Sequence, residues 1–196
     1  PYYLSGLYEM TMTGKVVREY SMPGAYHHDK IEMADGNLLV LSEDLESDTV
    51  EDTMVLLDRN TGEVLRTWDF SDFLIPGEST SGSWSAEDWF HCNALWYDAN
   101  TNSVTLSGRH INAIVNIDYD TGKLNWILGD PEGWSDERKK YLFTPVGDGE
   151  FDWQYEQHAC VITPDGDVMC FDNGHYRSCD PKKYILNRDN FSRGVR

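Results

Sequence analysis

Three histidines recur at a nearly constant interval along this chain. His28, His91 and His158 are separated by 63 and 67 residues, and an aspartate follows each of them seven residues later. The imidazole ring titrates near neutral pH, so three rings brought together could supply a nucleophile, acid and base groups, or metal ligands. A recurring histidine can equally be structural, bonding a neighbouring strand. The interval alone leaves both interpretations open.

Polar residues at equivalent places favour an anion-binding site near these histidines. Counted from the turn that precedes each second strand, Glu43, Arg109 and Asn173 fall at corresponding positions. Arg109 offers five fixed N–H donors that suit a tetrahedral oxyanion. Asn93 lies two residues beyond His91, on the same face of an extended strand, and adds a neutral amide donor. The alternative for Arg109 is a salt bridge to one of the many carboxylates.

The segments that must position these residues have the pattern of short antiparallel strands. A tight-turn phrase between apolar runs contains Gly14, Gly62 and Gly122, and Asn, Asp and Gly are the residues that accept the positive φ of a hairpin turn. Between His91 and Trp126 the sequence predicts four strands, at residues 94–97, 104–108, 113–117 and 124–128.

Four antiparallel strands per repeat are typical of a β-propeller blade. We therefore predict an all-β fold, a β-propeller of four-stranded antiparallel blades, in which the three histidines converge on the central channel. Propellers need four to eight blades, whereas this chain holds about three, so we expect a fragment of a larger ring or, as the alternative, a ring that closes through another chain. Residues 1–196 then form one partial propeller domain: the end of one blade (1–22), a blade (23–70), a long loop (71–88), a blade (89–129), a long loop (130–152) and the start of the next blade (153–196).

The charge composition of the chain excludes some classes of binding partner. Sixteen Lys and Arg against 34 Asp and Glu give a net charge of −18, which excludes binding to nucleic acid or anionic lipid by charge neutralisation. We expect neither a membrane span nor a signal peptide in this stretch. The four cysteines form no CxxC pair, so they do not indicate a redox compartment.

Several phrases of the sequence form a set that covers residues 27–174 in order. The phrases are His27-His28-Asp29, Asp88-Trp89-Phe90-His91-Cys92-Asn93-Ala94-Leu95, Ser107-Gly108-Arg109-His110, Trp126-Ile127-Leu128-Gly129, Gly133-Trp134, Leu142-Phe143-Thr144-Pro145-Val146, Phe151-Asp152-Trp153, Gln157-His158 and Phe171-Asp172-Asn173-Gly174. Taken together, these phrases resemble the bacterial arylsulfate sulfotransferases, which use a six-bladed propeller and no nucleotide sulfate donor.

The resemblance implies a role for each candidate. His158 corresponds to the residue that is transiently sulfated, with His28, His91, Asn93 and Arg109 around the sulfuryl group. It also implies a phenolic sulfate donor, a phenol acceptor, no cofactor or metal, and a periplasmic location. The family's N-terminal β-domain and the remaining blades are missing from this stretch, and a homodimer is one alternative for the oligomeric state.

Two details of the site stay open. The doublet His27-His28 offers two candidates for the channel position, and the seven-residue spacing to Asp35 favours His28. Aromatic side chains near the mouth could clasp an aryl ring or could simply pack between sheets. These side chains are Trp84, Trp89, Trp134 and Trp153.

Three rival functions also remain. The phrase Asp-x-x-Thr-Gly-Lys followed by Trp126 is typical of quinoprotein-like propellers, where it has an architectural role. Three histidines meeting at one point could instead hold zinc with an open position, although the cation of Arg109 beside a metal would repel it. The third rival is a non-catalytic propeller that serves as a binding scaffold.

Overall fold

The computed structural model describes residues 6–20, 24–80, 85–149 and 151–196, and its regular structure is almost entirely β. The described residues contain one helical turn, α1 (Asp136–Lys139), and four short 3₁₀ segments. The strands are β1 (Leu7–Met10), β2 (Val16–Tyr20), β3 (Tyr26–Glu32), β4 (Leu38–Ser42), β5 (Thr53–Leu57), β6 (Val64–Asp69), β7 (Cys92–Asp98), β8 (Ser103–Gly108), β9 (Ala113–Asp118), β10 (Leu124–Gly129), β11 (His158–Ile162), β12 (Val168–Asp172) and β13 (Arg193–Val195). The predicted all-β class is confirmed.

The strands form antiparallel sheets in which each strand pairs with the next one along the chain. Two sheets have four strands, β3-β4-β5-β6 and β7-β8-β9-β10. A three-stranded sheet, β11-β12-β13, and the hairpin β1-β2 complete the set in the described residues, where no sheet closes on itself. The four strands predicted between His91 and Trp126 are β7 to β10, so that prediction is confirmed.

The recurring turn phrase forms the predicted hairpins. Gly62 joins β5 to β6 with φ 79°, and Gly122 joins β9 to β10 with φ 68°, a left-handed backbone that glycine adopts without steric cost. The carboxylate of Asp58 accepts the main-chain N–H groups two and three residues later. Asp118 accepts the N–H group three residues later in the same way. Each turn is therefore satisfied by its own residues.

The largest core lies between the two four-stranded sheets. Leu39 and Met54 of the first sheet belong to the same buried cluster as Leu106 of the second. The ring of Phe70, after β6, lies 4.8 Å from the ring of Phe90, just before β7. The alternating apolar side chains of both sheets thus hold them face to face.

Polar contacts bring the first strands of successive sheets together. β3 contacts β7, and β7 contacts β11. The carboxylate of Asp29 on β3 accepts the N–H of Leu95 on β7 at 3.1 Å. Gln157, fully buried beside β11, donates through Nε2 to Ser107 Oγ, Gly108 O and Ala113 O. The residues that precede or begin β3, β7 and β11 are therefore held close in space.

In the described parts of the two long loops, the regular structure consists of short segments. The loop at 71–88 ends in a 3₁₀ segment, Ala86–Asp88, and the loop at 130–152 contains α1. Trp89 and Trp134 are buried in the core, and Trp89 Nε1 donates to Asp52 Oδ2 at 2.8 Å. Both rings pack between sheets, Trp153 is half-buried, and Trp84 lies outside the described residues.

Across the described ranges, no helix is both long and apolar enough to span a bilayer.

Candidate active site

Each recurring histidine lies at or beside an irregularity in the first strand of its sheet. The pairing register of β3, β7 and β11 with its neighbour shifts close to the histidine in all three sheets. The backbone is left-handed at His28 (φ 46°), at His91 (φ 51°) and at Ala159 (φ 57°), next to His158. Bulges of this kind re-aim side chains, and strained non-glycine residues cluster at functional sites.

The structure brings the predicted catalytic residues together. The rings of His28 and His91 lie 5.1 Å apart. Burial is the main cause that lowers the pKa of His28; electrostatic interactions with His91, His158 and Arg109 act in the same direction, and Glu51 opposes them. Histidines far apart in the sequence thus share one electrostatic environment.

His91 is held between two carboxylates. Its Nδ1 lies 2.8 Å from Glu51 Oε2 and 3.0 Å from Asp88 Oδ2. Burial by itself would lower the pKa of His91, but the hydrogen bonds to Asp88 and Glu51 outweigh it and raise the pKa to about 9. Burial likewise opposes ionisation of Glu51, yet the bond from His91 brings the pKa of Glu51 below its ordinary value. At neutral pH His91 is therefore an imidazolium with a fixed ring direction.

His158 is held in one tautomer. Its Nδ1 lies 2.8 Å from Asn173 Oδ1 and 3.2 Å from the main-chain oxygen of Glu156. A carbonyl oxygen only accepts, so Nδ1 carries the proton and donates to both. In a neutral ring the lone pair is then on Nε2, which is the nitrogen a nucleophilic imidazole needs.

The doublet His27-His28 forms a directed chain of hydrogen bonds. His27 Nε2 donates to the main-chain oxygen of Ser42 at 3.2 Å, so His27 Nδ1 accepts from His28 Nδ1 at 3.0 Å. Burial lowers the pKa of His27 to about 4. His27 thus orients His28, and His28 is the member of the doublet whose ring stacks edge-on to His91.

Arg109 is both exposed to the site and anchored behind it. It directly follows β8, as Glu43 follows β4 and Asn173 follows β12, so the three positions correspond as the sequence indicated. Arg109 Nη2 lies 3.0 Å from Glu156 Oε2, while its side chain keeps 24% of its surface exposed. The salt bridge considered for Arg109 exists, and part of the Arg109 side chain remains exposed.

Asn93 lies beside the cluster but is bonded elsewhere. Its residue is buried, and its Nδ2 donates to the main-chain oxygen of Gln157 at 2.8 Å. The pairing register of β7 with β8 shifts between Cys92 and Ala94, at the position of Asn93. A role for Asn93 in binding the sulfuryl group stays a prediction.

A family model for arylsulfotransferases matches residues 3–196 of the chain. This chain belongs to the arylsulfotransferase family. It is 26% identical to the arylsulfate sulfotransferase of Lelliottia amnigena and 24% identical to that of Escherichia coli O6:H1 strain CFT073, over 87% of the chain in both cases. The chain spans 38% of the length of each of these relatives.

A solved structure supports the fold of this arylsulfotransferase-family chain. A catalytically inactive virginiamycin B lyase from Staphylococcus aureus, solved with quinupristin, matches it with a TM-score of 0.50 and 11% identity, over 98% of this chain and 48% of the lyase. At that identity the match shows a likeness of fold alone.

Sequence reasoning missed several members of the site. Glu51, Asp88 and Glu156 supply its carboxylates, and His110 and His175 complete it, so all six histidines of the chain take part. Asp88 precedes His91 by three residues and Glu156 precedes His158 by two, which was a usable signal. Glu51 stands 40 residues before its partner His91 in the sequence, and no spacing points to it.

Two groups of side chains in this family member could hold a metal ion. They are His27, His28 and Glu51, and Asp88, His91 and His110, with donor atoms within 4.8 Å of one another. Neither group is the trio His28, His91 and His158 considered from the sequence. In the second group His91 Nδ1 faces two carboxylates that raise the pKa of His91, so a metal bound at Nδ1 would have to displace the proton that these carboxylates stabilise there.

Proposed function

We propose that the protein containing this chain transfers a sulfuryl group from an aryl sulfate ester to a phenol, through a sulfated His158 and without a nucleotide sulfate donor. Membership of the arylsulfotransferase family supports aryl sulfate transfer. The observation that carries the finer proposal is the tautomer of His158, whose Nδ1–H bonds leave the lone pair on Nε2.

The first displacement forms the covalent intermediate. The lone pair of His158 Nε2 attacks sulfur, the new N–S bond forms, and the ester S–O bond breaks with its electron pair leaving on the phenolate oxygen. Such a loose, in-line transfer asks the protein chiefly for positioning and for stabilisation of charge on the peripheral oxygens. The imidazolium of His91 and the guanidinium of Arg109 supply that charge.

The second displacement frees His158, and the starting state returns once the base passes its proton to the phenolate released in the first step or to solvent. The oxygen of an acceptor phenol attacks sulfur, its proton passes to a base, and the N–S bond breaks with its electrons returning to His158. His28, whose ring lies 5.1 Å from that of His91 and whose pKa is lowered by burial, is the candidate for this proton transfer. Asn93 is proposed as an additional contact to the sulfuryl group.

A complete propeller completes the site. We interpret the two four-stranded sheets as consecutive blades, with β3, β7 and β11 facing a central channel, and β11-β12-β13 as the start of a third blade. The rest of a six-bladed ring would come from the part of the protein beyond this chain, since the chain spans 38% of its relatives. Donor and acceptor binding therefore belongs to the intact protein.

Kinetics and mass spectrometry of the intact protein test the proposal. We expect turnover of 4-nitrophenyl sulfate with phenol, with parallel double-reciprocal lines, because donor and acceptor react in separate halves of the cycle. With donor and no acceptor, one sulfuryl group should appear on a peptide that contains Phe151 to Ile162. Intersecting lines together with an unmodified peptide would exclude the histidine intermediate.

A metal site is the second candidate, because the structure supplies two groups of suitable donor atoms. Elemental analysis of the purified protein separates it from the first proposal. Sulfotransfer that survives exhaustive chelation, with less than one equivalent of zinc, favours the histidine mechanism. Stoichiometric zinc with loss of activity on chelation would favour the metal.

A further inference from the structure

One buried carboxylate contacts several parts of the proposed site. Glu156 keeps 1% of its side-chain surface exposed. Its Oε2 lies 3.0 Å from Arg109 Nη2 and 2.8 Å from His175 Nδ1. A carboxylate so far removed from water is stable only with charged or hydrogen-bonding partners, and here one partner is the arginine of the site.

The backbone of Glu156 reaches the proposed nucleophile as well. Its main-chain oxygen accepts from His158 Nδ1 at 3.2 Å. Together with Asn173, this bond keeps the proton of His158 on Nδ1. Glu156 thus contacts the arginine through its side chain and the histidine through its main chain.

The surroundings hold Glu156 in a strained conformation. Its φ is 48°, a left-handed value that a side chain rarely adopts. Its N–H donates to the buried Asn112 at 3.1 Å, and the preceding N–H, of Tyr155, donates to the buried Asp172 at 2.9 Å. Strain of this kind persists only where neighbouring groups enforce it, and it is concentrated at sites that must be held in one geometry.

The segment that carries His175 is fixed in a similar way. Tyr176 and Arg177 also have left-handed φ values, 59° and 48°. Arg177 is buried and bonds Asp172 at 3.0 Å, and the rings of His175 and Tyr176 stack at 4.0 Å. His175 therefore contacts Glu156 Oε2 from a turn that is itself held by buried contacts.

The geometry points to Glu156 as a positioning residue for sulfuryl transfer: it fixes the direction of the Arg109 guanidinium and the tautomer of His158. This inference rests on the proposed function of the same site. Glu156 acts through Arg109 and His158 and is assigned no contact with the substrate.

Glu156→Gln tests the side-chain half of the inference, because it keeps the size of the side chain and removes its charge. Arg109 then loses its fixed direction. We therefore expect kcat to fall about 10- to 100-fold, which is the usual loss of activity when a residue that orients a site group is replaced. The site also gains one positive charge, so KM for the anionic 4-nitrophenyl sulfate should fall. A variant with wild-type kcat overturns the inference, as does one in which kcat falls and KM rises together.

Glu156→Asp and Glu9→Gln serve as matched variants. In Glu156→Asp the negative charge is kept, but the side chain is shorter by one methylene. The kcat should therefore lie between those of wild type and Glu156→Gln, and KM should stay near the wild-type value. Glu9, in the hairpin β1-β2, bonds Arg59 at 2.7 Å. Glu9→Gln therefore breaks an arginine–carboxylate pair away from the site and should leave kcat and KM unchanged. A shared loss in both glutamine variants would mark a general effect on stability and overturn the assignment.

Nitrogen-15 NMR of the Arg109 side chain gives a readout that does not require turnover. We expect resolved Nη signals in the wild-type protein, because a bound carboxylate slows rotation of the guanidinium, and averaged signals in Glu156→Gln. Unchanged signals overturn the inference whether or not the protein transfers sulfate. Changed signals in a protein that transfers no sulfate refute the proposed function and leave the Glu156–Arg109 contact standing.

Discussion

Each four-stranded sheet has a hairpin end, which carries its recurring turn, and a histidine end, which carries its recurring histidine. Both features recur along the sequence, but the two ends are held by different kinds of contact. At the hairpin end, Asp58 and Asp118 accept hydrogen bonds from residues two or three positions away. At the histidine end, His91 is paired with Glu51, and Arg109 with Glu156, across 40 and 47 residues of sequence. The hairpin end depends on local chain geometry, whereas the histidine end depends on the packing of one sheet against another.

The hairpin end therefore stabilises the sheets, whereas the histidine end carries the charged groups of the candidate site. Local turns can repeat in any copy of the sheet, because each supplies its own hydrogen-bond partners. Buried charges need partners from other elements, and those partners move their pKa values. Substitutions at the histidine end should therefore affect transfer strongly, and substitutions at the hairpin end should affect stability alone.

His158→Ala should give the largest effect of those expected. Loss of the nucleophile should lower kcat by about 10³-fold or more and abolish the sulfated peptide, while the thermal unfolding temperature changes little because His158 is only half-buried. Mass spectrometry and steady-state kinetics on the intact protein measure both. Residual transfer above a few per cent of wild type would refute His158 as the nucleophile.

Arg109→Lys should have the next largest effect. Lysine keeps the charge but cannot supply the planar fork that bonds Glu156 and sulfuryl oxygens together. We expect kcat to fall about 10²-fold, as when one donor to a developing oxyanion is removed. A wild-type kcat in this variant would show that Arg109 serves only as a structural salt-bridge partner of Glu156.

Glu51→Gln should shift the pH dependence rather than abolish activity. The pKa of His91 is raised to about 9 from an ordinary value of 6.5, so charged His91 stabilises the fold below pH 6.5 and this contribution is lost as the pH rises through 9. If His91 must be charged, kcat/KM should fall on the same alkaline limb. Removing the Glu51 charge should move that limb about one pH unit toward neutrality, and a pH–rate profile with an unmoved limb would contradict the pairing.

Gly62→Ala should have the smallest effect and should sharpen the contrast. The glycine sits at φ 79°, and no atom lies within 4 Å of the position that a Cβ would take, so the cost is backbone strain alone. The free energy of unfolding should fall by about 1 kcal/mol, with kcat and KM unchanged. Denaturant titration and kinetics check the two halves, and a loss of kcat here would show that the two ends are coupled.

Much of the site was accessible from the sequence because repetition carries geometric information. The spacing of His28, His91 and His158 predicted first strands that lie side by side, and β3, β7 and β11 do so. The correspondence of Arg109 with Asn173 also appears in the structure, where each directly follows a second strand. Periodicity identifies equivalent positions before any contact is known.

Side-chain direction was less accessible. Alternation along an ideal strand predicts Asn93 on the same face as His91, and in the structure β7 has a register shift at Asn93, whose Nδ2 donates to the main-chain oxygen of Gln157. A bulge inserts a residue and changes the face of those around it, and the sequence of β7 contains no glycine or proline that would have announced it.

By itself, the sequence determined the all-β class, the hairpins, the recurring first strands and the residues that equivalent strands contribute, because these follow from turn chemistry and from repetition along the chain. Only the tertiary structure decided which groups are charged and which way they point. Glu51 and Glu156 acquire their roles when sheets pack and exclude water. In a buried site an ionisable group is governed by its nearest partners in space, and here those partners are distant in the sequence.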